Sequence, residues 1–383
     1  MTKNGLYLHI PFCKSKCFYC DFYSVSQTGL KEEWLEALLL ELKTEPVFLG
    51  TERPVLRTVY FGGGTPSQLT FTEFERIFAA ISLHFDLATC EEITLEANPD
   101  DLTPLYIAML RSLPFNRISI GVQSFSDTEL MAINRRHTAA AAAEAIMECS
   151  RQGFDNISLD LMYGLPGQTL ESFLVSVRQA VALPVKHISS YSLSWEEGSV
   201  LYSKLQNGEL KQASEEISEA CFFGMKDVLE KAGFEHYELS NFALEGFRSK
   251  HNSSYWDGSS YLGVGPGAHS YNGLVRRFNP PSLKRYNEGV KKGLDFRETE
   301  TLDNTINYND FIITRLRTLQ GLNLSELAAE FGAEKYAYCK ENAFRSLQNS
   351  TLELVGDWLR LTRKGLFISD AVMSDLMEVY EKN

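Results

Sequence analysis

Short apolar runs alternate with amphipathic stretches from Leu6 to Ser192, regularly enough to predict an ordered series of elements. LYLHI, TVYFGG, EITLEA, RISIGV, NISLDLMYG and HISSYSL are each rich in β-branched or aromatic residues and read as strands. The stretches between them carry apolar residues at helical spacing. The clearest, Leu30 to Leu49, sets Trp34, Leu35, Leu38 and Leu39 on one face. Helix starts are legible as well: Thr103 caps before Pro104, Ser126 or Asp127 can cap a helix over Glu129 to Ile133, and the alanine run Ala139 to Ala143 opens a helix ending near Gly153. Six strand-helix units in a row, with strands that look buried on both faces, predict an α/β fold. Its expected form is a partial (β/α)6 TIM-like barrel of parallel strands with helices outside.

Beyond the sixth unit the texture changes. Ser214 to Ala232 reads as a further amphipathic helix and HYELSNFA as one added strand. Arg248 to Asn279 is rich in Gly, Ser, Asn and aromatics, the composition of long loops that close over a site. Past Pro281 the pattern becomes helical, with NLSELAAEFG, then a hairpin around LELVGDWLRLT turning at Val355 to Asp357, then a last helix from Lys364. Helix, helix, hairpin, helix predicts a small winged-helix-like C-terminal domain. The expected division is 1–290 for the barrel with its added strand and aromatic loop region, and 291–383 for the helical unit.

Composition narrows the partners. A chain of 383 residues with 44% hydrophobic content can bury a large core, and its formal net charge of -13 argues against a nucleic-acid backbone as ligand. LSELAAEFG resembles the opening of a DNA-reading unit, but on so acidic a chain a packing role is favoured. Apolar runs such as WLEALLLEL are broken by charges well short of a membrane-spanning length, so no transmembrane segment is expected. A cytoplasmic setting, where thiols stay reduced, is expected.

The chemistry gathers at the strand ends. Cys13, Cys17 and Cys20 fall in one short loop after the first strand, and three thiolates so spaced can hold three corners of a cubane 4Fe-4S cluster. A structural zinc would want a fourth ligand, and the nearby His9 lies on the strand; seven cysteines, an odd number, speak against a disulfide framework. Cys90, Cys149, Cys221 and Cys339 sit among apolar neighbours and read as core residues. FGGGTPS, Phe61 to Ser67, puts glycines where only backbone can approach a ligand, with Thr65 offering a hydroxyl. Glu96, Gln123 and Asp160 end three successive strands and can accept hydrogen bonds, and Arg135 offers a fork suited to a carboxylate.

Cys-x3-Cys-x2-Cys after a first strand resembles the signature of the radical SAM family. LYLHIPFC, GGGTPS, TLEANP, ISIGVQSF, INRRHT, LDLMYGLPGQT and GVGPGAH resemble the oxygen-independent coproporphyrinogen III dehydrogenase group of that family over nearly the whole chain. The resemblance implies a radical SAM barrel, a 4Fe-4S cluster on Cys13, Cys17 and Cys20, and S-adenosylmethionine chelated to the open iron, which passes an electron to the sulfonium. It implies SAM contacts from Tyr7, Tyr19, Gly63, Gly64, Thr65, Glu96, Gln123, Arg135, Asp160 and Ser192.

Two features separate the chain from the dehydrogenase: the cysteine loop starts at Cys13 without the long preceding extension, and it ends Cys20-Asp21-Phe22 where the enzyme reads Cys-x-Cys. A third is positive. His251-Asn252-Ser253-Ser254-Tyr255-Trp256 matches HNxxYW, a pattern of the HemW-type haem chaperones. That likeness implies haem near His251, Tyr255 and Trp256, with His269 a second candidate ligand, and delivery of haem to haem proteins such as respiratory enzymes. It favours carriage over decarboxylation of coproporphyrinogen III. It also leaves room for a peripheral membrane contact and a homodimer.

Overall fold

The computed structural model of the chain describes residues 4–379. The six expected strands form β1 (Asn4–Ile10), β2 (Leu56–Gly63), β3 (Glu92–Ala97), β4 (Arg117–Gln123), β5 (Asn156–Tyr163) and β6 (His187–Ser192), each parallel to the next. Alternation along each strand decides what faces where. Leu6, Leu8 and Ile10 of β1 are fully buried in the layer shared with the outer helices, along with Val59 and Phe61 of β2. Tyr7, His9, Tyr60 and Glu96 occupy the other face and turn a polar lining into the barrel. The helix Lys31–Thr44 closes the outside of β1, with Phe12 packed edge-on against Trp34 at 5.3 Å.

The sheet is wider than six strands. HYELSNFA folds as two strands, β7 (Glu235–Glu238) and β8 (Asn241–Ala243), with β8 antiparallel to β6. The expected long loop Arg248 to Asn279 is instead largely regular. It holds the helix Lys250–Trp256 and the strands β9 (Tyr261–Val264), β10 (His269–Tyr271) and β11 (Val275–Phe278), and β12 (Glu298–Thr301) follows. β9 runs parallel to β1 on the side away from β2, so the twelve-stranded sheet has the order β12-β11-β10-β9-β1-β2-β3-β4-β5-β6-β8-β7. One of the glycines that suggested a loop is a packing device. At Gly263 a Cβ would stand 2.1 Å from the carbonyl oxygen of His269, so the tight return from β9 to β10 admits no side chain.

Because β12 pairs with β11, the first unit runs past the expected end at residue 290. The C-terminal unit then has its own core around Tyr308, Ile312, Leu327, Cys339 and Leu376. It consists of the helix Asn304–Leu316, the strand β13 (Leu322–Asn323), a helical stretch Leu324–Gln348 broken at Gly332, the hairpin β14 (Leu352–Val355) and β15 (Trp358–Leu361), and two closing helices. This is the winged-helix-like arrangement the pattern predicts. Among the described residues no helix is long and apolar enough to cross a membrane.

One buried carboxylate ties the added strands to the barrel. Glu41, 1% exposed on the helix outside β1, accepts from the Gly265 amide at 2.8 Å, Asn279 at 2.9 Å, the Tyr286 hydroxyl at 2.7 Å and Arg297 at 2.7 Å. Removing one partner of such a group leaves the others desolvated and unpaired. Glu41→Ala should therefore lower the free energy of unfolding by about 3–5 kcal/mol. Arg76→Ala, which breaks an exposed ion pair with Glu32, should cost less than about 1 kcal/mol in the same denaturant titration. Equal effects of the two would show that the network does not fasten the extension.

Candidate functional site

The cysteine loop leaves β1 at Pro11 and is pinned to its surroundings along its length. Its ends are joined by the Cys13 amide to the Val25 carbonyl at 3.0 Å and the Val25 amide to the Pro11 carbonyl at 2.7 Å. Lys14 reaches the buried Asp101 at 2.6 Å, which also accepts from Ser67 and Gln68. Further along, Asn134 donates to the Lys16 carbonyl at 3.0 Å and the Phe18 amide to the Ile133 carbonyl at 3.1 Å. A loop held at this many points is preorganised for what its side chains bind.

The glycine run of β2 makes that docking possible. Gly64 donates its amide to the Ile10 carbonyl at 2.8 Å, and a Cβ there would lie 2.9 Å from that oxygen and 3.1 Å from the Cys13 sulfur. Gly63 has φ +106°, and a Cβ would meet the His9 ring at 2.7 Å. These glycines admit the loop itself as well as any ligand above it. A side chain at Gly64 would therefore disturb the cysteines together with whatever they hold.

Cys13, Cys17 and Cys20 line one cavity of about 400 Å³ at the C-terminal ends of the barrel strands, the position where barrels of this kind carry their chemistry. Tyr19, Gly63, Gly64, Thr65, Glu96, Gln123, Arg135, Asp160 and Ser192 line the same cavity, so most of the expected SAM-contact set converges there. Among the described residues no three His, Cys, Asp or Glu side chains, the three cysteines included, are drawn together closely enough to hold a single metal ion. Three sulfurs around a shared space suit a cluster in which each binds a different iron. Burial, countered in part by a backbone hydrogen bond at Phe22, pushes the Cys20 thiol up to about 11, and the neighbouring Cys17 and Cys13 add to this; three thiolates here require a compensating cation.

Three ionisable groups, Arg135, Glu96 and Asp160, also face that cavity. Arg135 donates to the Cys17 sulfur at 3.2 Å, to Asn98 Oδ1 at 2.7 Å and to the Gly121 carbonyl, which fixes its guanidinium and leaves Nε as its unpaired donor. Across from it, burial pushes the Glu96 carboxyl up to about 7 against the hydrogen bond from the Tyr60 hydroxyl at 2.7 Å, with Asp160 raising it further. Asp160 is likewise raised by burial, to about 6. Gln123 reaches the cavity from a strained backbone, φ +71°, at a register shift between β4 and β5. Asn98, Met162 and Tyr191 also line the cavity and were not anticipated; for Tyr191 the signal was its place among the last residues of the sixth strand.

Four expected contacts lie elsewhere. Tyr7 hydrogen bonds to His9 at 3.2 Å and lines a neighbouring cavity. The HNSSYW segment is the helix Lys250–Trp256, whose start is held by the Glu92 carboxylate on the Lys250 and His251 amides, both at 2.9 Å. His251 and Tyr255, four apart, share one face and enter the barrel near the beginnings of β1 and β2. His251 is 1% exposed, with Nδ1 bonded to the Thr58 hydroxyl at 2.8 Å and Nε2 to the Tyr255 hydroxyl at 2.9 Å, and burial lowers its pKa to about 3. Trp256 points the other way, under the Arg317 guanidinium at 4.6 Å and beside the C-terminal unit. In this arrangement both ring nitrogens of His251 are engaged by hydroxyls, and Trp256 lies on another face of the helix. The four-residue spacing was the sequence signal for this.

Comparisons agree with this architecture. Residues 7–180 match the model of the radical SAM superfamily, and residues 302–368 match that of the HemN C-terminal domain, which starts where the second core begins. The chain is 35% identical to the haem chaperone HemW of Mycobacterium tuberculosis over 97% of its own length and 94% of that protein, and 40% identical to HemW of Lactococcus lactis over 75% and 77%. It superposes on the coproporphyrinogen III oxidase HemN of Escherichia coli with a TM-score of 0.85, covering 98% of this chain and 90% of that one at 21% identity, which is a likeness of fold. With its cysteine loop, its barrel and its C-terminal unit all accounted for, the chain belongs to the HemW haem chaperone family of the radical SAM superfamily.

Proposed function

We propose that the chain holds a 4Fe-4S cluster on Cys13, Cys17 and Cys20, binds S-adenosylmethionine beside it, and carries haem to haem proteins in the cytoplasm. The observation that carries the first half is the convergence of three thiols and the acidic strand-end residues on one cavity. The relatives' name supports the second half. When bound, the cluster supplies an iron with an open coordination position and a transferable electron. The chain's own residues do the rest: Arg135 donates to the Cys17 sulfur, Glu96 and Asp160 offer negative charge to a sulfonium or ammonium, and Tyr191 and Met162 give apolar cover. The rival reading is decarboxylation of coproporphyrinogen III, suggested by the shared fold with HemN.

Anaerobic reconstitution should give about four irons per chain and a broad visible band, and Cys17→Ala should lose both. The same preparation should take up haem, and with SAM and a reductant it should leave coproporphyrinogen III unchanged by chromatography. One zinc in place of the iron would end the cluster assignment; steady formation of protoporphyrinogen IX would establish the dehydrogenase.

The carboxylates predict a pH dependence with a definite sign. Glu96 and Asp160 are largely protonated below pH 6 in the free protein, and a cationic ligand binds their ionised forms. SAM affinity should therefore rise between pH 6 and pH 8, by up to about tenfold per pH unit for each proton released, and level off above. Glu96→Gln should bind more weakly at pH 8 and flatten the profile. Calorimetric titration of the iron-loaded protein across that range decides it, and a flat wild-type profile would remove these groups from the binding site.

A further inference from the structure

A second cavity, of about 650 Å³, lies on the other side of the cysteine loop. The two share Asp21 and Phe22, so only the segment after Cys20 separates them. Its size suits a cofactor. Its walls are aromatic: Tyr7, Tyr255 and Tyr261 come from β1, the HNSSYW helix and β9, and Tyr255 meets Tyr261 edge-on at 4.8 Å.

Two histidines reach it, in different states. Buried His9 is engaged at both nitrogens: Nε2 donates to the Tyr23 carbonyl at 2.9 Å, so Nδ1 accepts from the Tyr7 hydroxyl at 3.2 Å. His269 is exposed, is steadied edge-on against Phe278 at 4.7 Å, and has no hydrogen bond to its ring among the described residues. Partial desolvation of the ring against its neighbours, and the nearby Arg276, lower its pKa, which keeps a lone pair available at neutral pH. The cleft between the barrel and the C-terminal unit is of similar volume and carries Trp256 and Trp358. It is lined by no histidine, cysteine or methionine, and so has none of the usual side-chain nitrogen or sulfur donors for haem iron.

We propose that haem occupies the aromatic cavity beside the cysteine loop with His269 as its iron ligand, and that His251 lies outside the ligand set. This rests on the haem-carrying function proposed above. The cavity lining contains Asp21 and Glu298 and neither Lys nor Arg, so no cation there clamps the propionates, which must point away from both carboxylates into solvent. Retention then depends on the iron-nitrogen bond and on contact with the rings, an arrangement suited to a protein that must give the ligand up. The position also puts haem against the segment that carries Cys20.

The experiment is an anaerobic titration of the iron-loaded full-length protein with ferric haem, followed by the Soret band and by electron paramagnetic resonance. Wild type should take up one haem per chain with a nitrogen-ligated spectrum. His269→Ala should change that spectrum and weaken binding tenfold or more without loss of cluster iron, and added imidazole should restore the spectrum in His269→Gly. His251→Gln should keep the wild-type spectrum. Wild-type affinity and spectrum in His269→Ala would overturn the proposal. So would loss of the nitrogen-ligated spectrum in a His251→Gln protein that still melts as wild type does; if that variant fails to fold, the His269 variants decide alone. A wild type that takes up no haem would instead remove the haem-carrying function itself.

Discussion

Everything at the strand-end cavity depends on how closely two pieces of backbone approach at Gly64. Its amide meets the Ile10 carbonyl while the Cys13 sulfur lies just beyond the place of the missing Cβ. Burial disfavours a thiolate at Cys20, and the neighbouring Cys17 and Cys13 add to the cost. Such a loop keeps its shape only if it is fastened elsewhere, and Asp101, Asn134 and the Val25 pairing fasten it. The scaffold thus supplies the geometry, and a bound metal cluster would supply the positive charge.

Inside the barrel the same alternation that buries Leu6, Leu8 and Ile10 outward delivers Tyr7, His9, Tyr60, Glu96 and Asp160 inward. Burial raises these acids and lowers the histidines, so near neutral pH the interior carries less charge than its composition suggests. A lining of this kind can accept a cationic ligand beside Glu96 and Asp160 without rearranging ion pairs.

The six barrel strands and the cavity residues at their ends were legible because β-branched runs at regular spacing leave few other folds. The added strands were not. β9 to β12 are three or four residues long, too short to show a period, and Gly263 looks like a loop signal when it permits a tight crossing. The boundary near 290 missed β12 for the same reason. Glu41 read as one more charge on an amphipathic helix; its partners Gly265, Asn279, Tyr286 and Arg297 lie far along the chain, and no local pattern announces them.

HNSSYW does structural work between the barrel and the C-terminal unit. On a helix His251 and Tyr255 point into the barrel floor and hydrogen bond to each other, while Trp256 turns toward Arg317 and offers its carbonyl to Arg315 of the C-terminal unit. A change at any of the three would alter the seating of this helix between barrel and C-terminal unit, and Tyr255 lines the aromatic cavity directly. Loss of ligand binding after substituting the motif is therefore what a structural floor predicts as well as what a ligand predicts. Only a spectral signature of the bound iron separates the two, because a floor residue changes how much haem is held and a ligand changes what the iron is bonded to.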